Sequence, residues 1–560
     1  MAEKTRKYDA KIMIFTLIIV GAMALVIALN GEKAPDFIYS MLMAIGHSPV
    51  GIFILAFTFF CLIWVFYVAF SKYGKIRLGH GKPEYSNFQY IAMNICAGLG
   101  ATALIYSFIE WAFYYTTPAL GIEAGSAQAM EWSTAYNIFH WGPNMWATNT
   151  MAAIPVAYAY YVRRVPSLRL SAVTHAMMGD NKKSRVLSRV VDYLMSVSTC
   201  GGICVTLGLG VPLVANGLGK IFHFTPTFGT NVIVCIIVAG LYTLSSWVGL
   251  SKGMKVISSA NMYLAIGLMV ALLVTGPTQF IIKNIVNASG LMLQNFTRMS
   301  MWTDPIGGGS FPQDWTIFYW MFGWCFASQV SIFMSQISRG RTLRGMICCL
   351  NIGGPAGCLI FFGLNGSFSL NMQMTGELDV AGLVNNEGTA EAVTSILQSA
   401  GFGIVGLIIF VVITWLFTAT TLDAAAFALS SVSTPHLKEG ENTSPPLRLY
   451  WCIVLALLPM VMIYIQAPLS SLQTLVVVLT TPMVFIYLLM MLKTMKWMKE
   501  DYPRMINGRL PEDMTEEEKA EAAEIIRKEL ASKEEREASL EALLAGNPDA
   551  AVEKKEDAEA

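Results

Sequence analysis

The chain has 560 residues, of which 54% are hydrophobic and 14% charged, where a soluble protein of this size carries about a quarter charged residues. That balance excludes an ordinary soluble globular protein. The formal net charge is zero, and no nucleic-acid partner is expected.

The apolar residues come in blocks long enough to cross a bilayer, which takes about 20 residues as a helix. Twelve such blocks lie near 12–30, 51–71, 89–115, 133–161, 187–217, 230–250, 255–280, 314–338, 343–366, 402–433, 448–467 and 472–495. In lipid every backbone polar group must be paired within the protein, so helices are the economical reading. The first block lacks a following small-residue cleavage site and is expected to be a retained helix rather than a signal peptide.

Basic residues concentrate in Lys4–Lys11, Lys72–Lys82, Arg163–Arg189, Ser251–Lys255, Arg339–Arg344 and Lys493–Lys499, which are alternate loops plus both termini. The loops Pro118–Ser133 and Ser369–Val393 are nearly free of Lys and Arg. By the positive-inside rule both termini are cytoplasmic and the number of spans is even. From Glu500 onward there are 19 acidic and 9 basic residues, so this end is net −10 and the rest net +10. Three regions follow: 1–88, an N-terminal segment with two peripheral spans; 89–495, a membrane core; and 496–560, an acidic tail. Within the tail, 511–546 is rich in Ala, Glu, Lys and Leu and predicts a solvated cytoplasmic helix. The segment 284–300 alternates polar and apolar residues at helical spacing and is expected along the outer membrane face.

Glycines interrupt several blocks: Gly98 and Gly100 in the third, Gly201, Gly202, Gly208 and Gly210 in the fifth, Gly323 in the eighth. Each marks either a broken helix that frees carbonyls toward a cavity or close packing through small residues. The ten cysteines show no disulfide or metal-ligand pattern and are expected to be small buried residues. No block carries a polar stripe along its length, which argues against a channel. No nucleophile or metal constellation is present, which argues against an enzyme.

The eighth block opens with Asp314-Trp-Thr-Ile-Phe-Tyr-Trp320, and Trp315, Tyr319, Phe322 and Phe326 are spaced i, i+4, i+7, i+11 on one helical face. Trp320 and Trp324 form a second stripe, Phe139-His140-Trp141 with Trp146 a further cluster, and Trp111-Ala-Phe113-Tyr114-Tyr115 another. A trimethylammonium group has no N–H donor, but aromatic faces hold it through the ring quadrupole, at about 2 kcal/mol or more when desolvated. Such a cage binds a cation without a buried countercharge. The same rings also suit an interfacial belt or a packed core. Ionisable residues inside the blocks are few, Glu110, His140 and Asp423, and each is a functional candidate in a membrane.

Asp314–Trp320, the run Ile337-Ser-Arg-Gly-Arg-Thr342, Phe139-His-Trp-Gly-Pro143 and Gly249–Met254 resemble segments of the betaine/choline/carnitine transporter family, and the similarity extends over about 10–495. The resemblance implies an all-α membrane protein of twelve transmembrane helices. Spans 3–7 and 8–12 would form a five-plus-five inverted repeat, in a bacterial inner-membrane homotrimer. It implies secondary active transport of quaternary ammonium compounds of betaine, carnitine or choline type by alternating access, not catalysis. The branch that exchanges carnitine for γ-butyrobetaine is similar around the eighth block, but its arginine in span seven reads Asn261 here. That substitution favours sodium symport over sodium-independent exchange; a transporter-like sensor is a further alternative.

On the family pattern, Trp141 and Trp315 match ring positions, while other cage aromatics fall on Phe322, Phe326 and Phe113. One expected ring becomes Gly323 and another Asn149, with Trp324 a step away from the gap. A gap at Gly323 would leave a larger or polar-tipped pocket. The sodium site of the symporters maps onto backbone oxygens of Cys96, Leu99 and Phe417 and hydroxyls of Thr420 and Thr421, with Thr206 available for a second ion. No other cofactor or metal is implied.

Overall fold

The computed structural model describes residues 8–98, 100–248, 250–434, 443–506, 508–510 and 514, with the side chains at 32, 96–98 and 241–258 outside the described set. The tail helix expected over 511–546 therefore lies outside the described residues apart from residue 514, as do Leu99 and the side chain of Cys96. Among the described residues the chain is helical, with two isolated bridges and no named strand.

The helices run in chain order as α1 (Ala10–Asn30), α2 (Ala34–Gly46), α3 (Pro49–Phe70), α4 (Asn87–Gly98), α5 (Gly100–Thr116), α6 (Ala127–His140), α7 (Pro143–Tyr161), α8 (Leu170–Met178), α9 (Lys182–Phe222) and α10 (Phe228–Val248). They continue as α11 (Leu250–Thr275), α12 (Thr278–Met301), α13 (Phe318–Gln336), α14 (Leu343–Cys348), α15 (Gly354–Thr375), α16 (Val380–Asn386), α17 (Thr389–Ser399), α18 (Gly403–Val432), α19 (Pro445–Tyr464) and α20 (Leu469–Asp501). Local chemistry sets many starts. Ser48 caps the Val50 amide at 3.1 Å with Pro49 in the first turn, Ser126 caps Ala129 at 3.0 Å, and Asn181 caps Ser184 at 2.9 Å. Each satisfies an amide left open at a helix N-terminus.

Each of the twelve apolar blocks falls on a helix or helix pair. By length and hydropathy, eight described helices suffice to cross a membrane, or ten if two bent pairs each count once. The expected 284–300 helix is part of α12, which turns 113° from the preceding helix. The Pro312–Gln336 segment, whose most apolar 18 residues are all buried, lies at the centre, while α1 is mostly exposed to the surroundings. An all-round apolar helix with an exposed face suits lipid, not water.

The glycine-rich stretches behave differently from one another. In the third block α4 and α5 meet at 78°, and Gly100 holds a φ of +45°. In the fifth, α9 runs unbroken for 41 residues through all its glycines. Of the two readings of these glycines, close packing is the one that holds there. A Cβ on Gly202 would lie 2.6 Å from Cys325 Sγ, and one on Gly210 2.9 Å from Thr418 Oγ1, so these glycines let α13 and α18 approach α9.

The Ser338–Thr342 motif is a structural clamp. Arg341 lies 4.1 Å over the Tyr90 ring and donates to Asn87 Oδ1 at 2.8 Å and the Tyr85 carbonyl at 2.7 Å. It ties the loop after α13 to the start of α4.

Candidate functional site

Three segments bring the aromatic residues together. Helix α5 presents Tyr106, Glu110, Phe113 and Tyr114 at helical spacing. The turn between α6 and α7 presents His140 and Trp141, where Gly142-Pro143 ends one helix and starts the next. The segment 312–317 is a π-helical turn that leads into α13 and sets Trp315 and Tyr319.

The rings form an inner and an outer group. In the inner group Trp141 packs against Tyr319 at 5.4 Å, Phe322 at 6.2 Å and Tyr106 at 6.2 Å between ring centres. Phe322 packs edge-on to Phe326 at 4.7 Å. One face of Trp141 is covered by Phe362 of α15, stacked at 4.6 Å. In the outer group Phe113 and Tyr114 lie 5.1 and 5.0 Å from Trp315. Trp315 and Tyr319 are stacked at 6.5 Å, so Tyr319 joins the two groups.

A polar chain runs behind the inner group. Trp141 Nε1 donates to Glu110 Oε2 at 2.6 Å, and the Tyr114 hydroxyl donates to Glu110 Oε1. That hydroxyl lies 2.7 Å from His140 Nδ1, and His140 Nε2 lies 3.2 Å from Thr316 Oγ1. His140 also stacks on Tyr319 at 4.7 Å. Glu110, His140, Trp141 and Tyr114 are all fully or almost fully buried. Two ionisable residues without a partner legible in sequence are therefore partners of each other through one tyrosine.

The predicted ring positions divide accordingly. Trp141, Phe322 and Phe326 converge, whereas Phe113 sits with Trp315 in the outer group. Trp324 lies elsewhere: its Nε1 donates to Thr58 Oγ1 at 2.9 Å, and its ring stacks on Phe57 and Tyr487 at 5.3 and 5.0 Å. One helical step of about 100° separates it from the cage face. The gap expected at Gly323 is filled. A Cβ there would stand 2.6 Å from Thr148 Oγ1 and 3.3 Å from Met145 Cγ, so Gly323 faces α7 closely and leaves no larger pocket. Phe362 and Tyr106 are the neighbours of Trp141 that sequence reasoning missed. Tyr106 lies one turn before Glu110, but Phe362 carries no spacing signal.

Of the expected sodium ligands, Cys96, whose backbone oxygen was the expected donor, lies near the end of α4, and Phe417, Thr420 and Thr421 lie on α18. The hydroxyls of Thr420 and Thr421 both donate to the Phe417 carbonyl at 2.9 Å. A Cβ on Gly100 would collide with Thr421 Oγ1, so the α4/α5 bend packs directly on this turn. A cavity of about 510 Å³ touches Gly100, Phe417 and Phe362, and so runs from the bend to the back of the inner ring group. Thr206 is bonded to Thr102 at 3.2 Å, across α9 and α5. Asn261 is buried with both amide atoms lacking a hydrogen-bond partner. Asp423 is buried one turn beyond Thr420, and its Oδ1 has no hydrogen bond.

The family description "BCCT, betaine/carnitine/choline family transporter" matches residues 11–503. The chain belongs to this family. As a BCCT chain it is a multi-pass membrane protein and a secondary transporter. Two curated relatives are each 36% identical to it. One is an uncharacterized transporter, YeaV, of Escherichia coli strain K12, over 438 residues, covering 78% of this chain and 91% of its own. The other is a carnitine transporter of Acinetobacter baumannii, over 452 residues, covering 81% and 82%. Among solved structures, a Na+-coupled sialic acid symporter in a substrate-bound outward-open state is similar at 12% identity with a TM-score of 0.42, covering 79% of this BCCT chain and 86% of its own.

Proposed function

We propose that this transporter carries quaternary ammonium compounds by alternating access, with the onium head held against Trp141, Phe322 and Phe326. The observation that carries the reading is the buried convergence of these rings with Tyr319 and Phe362 between α5, α13 and α15. No basic side chain caps this group among the described hydrogen bonds and ion pairs, so a cation meets no like charge there. The outer pair Phe113 and Trp315 serves the access path. A relative named a carnitine transporter supports a carnitine-type onium as the first compound to try.

Sodium symport is the coupling we favour. Asn261 leaves the span-seven position without a fixed cation, and Phe417, Thr420 and Thr421 offer hard oxygens beside the Gly100 bend. In the present arrangement both hydroxyls are turned to their own helix carbonyl, so an ion would bind with their lone pairs. We further propose twelve spans with a five-plus-five repeat over 89–495, a homotrimer in the bacterial inner membrane, and both termini cytoplasmic.

Uptake of radiolabelled choline, glycine betaine, carnitine, γ-butyrobetaine and proline betaine into proteoliposomes tests this reading. At least one should accumulate. Uptake that requires preloaded internal onium and ignores sodium would place the protein with the exchangers instead. Binding without uptake would make it a sensor, and binding of none would refute the onium reading.

A further inference from the structure

The aromatic cage is backed by a carboxylate. Among the described residues Glu110 has one ion-pair neighbour, His140 Nδ1 at 3.7 Å, and no Lys or Arg. Both its oxygens accept hydrogen bonds, Oε1 from Tyr114 and Oε2 from the Trp141 indole. Two proton arrangements satisfy the whole chain: in the first, Thr316 O–H donates to His140 Nε2, His140 Nδ1–H to the Tyr114 oxygen, and Tyr114 O–H to Glu110; in the second every donor is reversed and a protonated Glu110 donates to Tyr114. Both leave His140 neutral; the first makes Glu110 an acceptor on both oxygens, which is the inventory of an ionised carboxylate, and a cation bound beside it favours that form. A buried charge of this kind is strongly unfavourable without a partner, and the partners here are all neutral donors.

We propose that Glu110 is the positioning residue and buried counter-charge of the cage: it fixes the Trp141 indole by its N–H and favours cationic over zwitterionic oniums. This rests on the onium reading above. Two consequences of the geometry support it. A charge-assisted bond of 2.6 Å fixes the indole more firmly than a neutral one would. An ammonium against the face of Trp141, within about 6 Å of the ring centre, stands about 7 Å from the carboxylate. At an effective dielectric of about 20, that attraction corresponds to roughly fifty-fold in affinity. A zwitterionic betaine places its own carboxylate in the same field and gains less. The cage therefore discriminates by net charge as well as by shape.

The test is the ratio of choline affinity to glycine betaine affinity, measured by isothermal titration on purified full-length protein, for wild type and Glu110→Gln. Gln keeps the size and an acceptor for Trp141 but removes the charge. The ratio should shift roughly ten- to hundred-fold toward glycine betaine, where a merely structural role would weaken both ligands alike. A wild type that binds onium while the variant keeps the wild-type ratio overturns the Glu110 assignment alone. A wild type that binds neither ligand overturns the assignment, and one that also binds none of carnitine, γ-butyrobetaine and proline betaine overturns the onium reading with it. If Glu110→Gln does not fold, as read by gel filtration, Tyr114→Phe removes the hydroxyl that supports the charge. It should move the ratio in the same direction, and an unchanged ratio there overturns the proposal.

Discussion

Gly323 is the position where family pattern and geometry disagree most sharply, and Gly323→Trp separates them. Pattern alone says that a tryptophan rebuilds a missing cage wall and tightens onium binding. The structure says otherwise, because the Cα–Cβ vector of Gly323 points at α7. A Cβ atom there stands 2.6 Å from Thr148 Oγ1, 3.3 Å from Met145 Cγ and 3.4 Å from the Met145 carbonyl. The carbonyl cannot yield, since it already accepts from Thr148 Oγ1 at 2.7 Å. Even Gly323→Ala overpacks the α7–α13 contact, at about 1–3 kcal/mol, offset by about 1 kcal/mol of helix propensity. Indole volume has no space and must part the two helices. Thermal unfolding in detergent, followed by a thiol-reactive dye, should give Ala slightly below wild type and Trp far below it or unfolded. Thr148→Ala should recover about 0.5–2 kcal/mol of the Gly323→Ala loss through direct coupling. A Gly323→Trp protein as stable as wild type, with tighter onium binding, would refute the reasoning.

Trp141→Ala should weaken onium binding at least tenfold, given about 2 kcal/mol or more for a desolvated cation–ring contact, and isothermal titration of the folded variant checks it. Phe362→Ala should weaken binding less, by loosening the Trp141 ring, while costing about 3–5 kcal/mol of stability as a buried aromatic truncation. Gly100→Ala should lower the melting temperature and raise the sodium concentration for half-maximal uptake, because its φ of +45° and its contact with Thr421 both oppose a methyl group; unchanged sodium dependence would remove this bend from the ion site. Outside the spans, Glu391 of α17 binds Lys220 Nζ at 2.6 Å and accepts from Asn216 at 3.0 Å. Burial pulls its carboxyl up, but the Lys220 and Asn216 hydrogen bonds outweigh it and hold it below the ordinary 4.5. Its contribution to stability is therefore full above 4.5 and fades as pH falls through the lower value. Glu391→Gln should be less stable than wild type at neutral pH, with the gap closing in acid; a gap that persists there would contradict the assignment.

The inner ring group was legible because a helix places i, i+4, i+7 and i+11 on one face, and Trp315, Tyr319, Phe322 and Phe326 obey that spacing. The limit of that rule shows at Trp315, which the π-helical turn shifts into the outer group with Phe113. Phe362 was not legible, since its place depends on how α15 packs across α5 and α6. Glu110 and His140 were legible as unusual residues but not as partners, because residues 30 positions apart meet only through the α5–α6 turn and Tyr114. Glycines misled where only the opposing surface decides their role. Gly100 bends a helix, but Gly202 and Gly210 admit Cys325 and Thr418 to an unbroken one. Hydropathy reads twelve blocks, yet length and composition qualify eight described helices outright: α6 and α7 divide one block, the α4/α5 bend divides another, α10 counts only as the shorter Phe228–Gly240 among the described side chains, and α11 is bent sharply against α12.

The central claim, onium transport driven by a sodium gradient through the Trp141 cage, meets its most direct test in proteoliposomes with an inward sodium gradient. The account predicts accumulation of labelled onium above its external concentration. Accumulation should be lost when potassium replaces sodium, and also in Trp141→Ala. Equal uptake in sodium and potassium would contradict the coupling, and undiminished uptake by Trp141→Ala would contradict the cage.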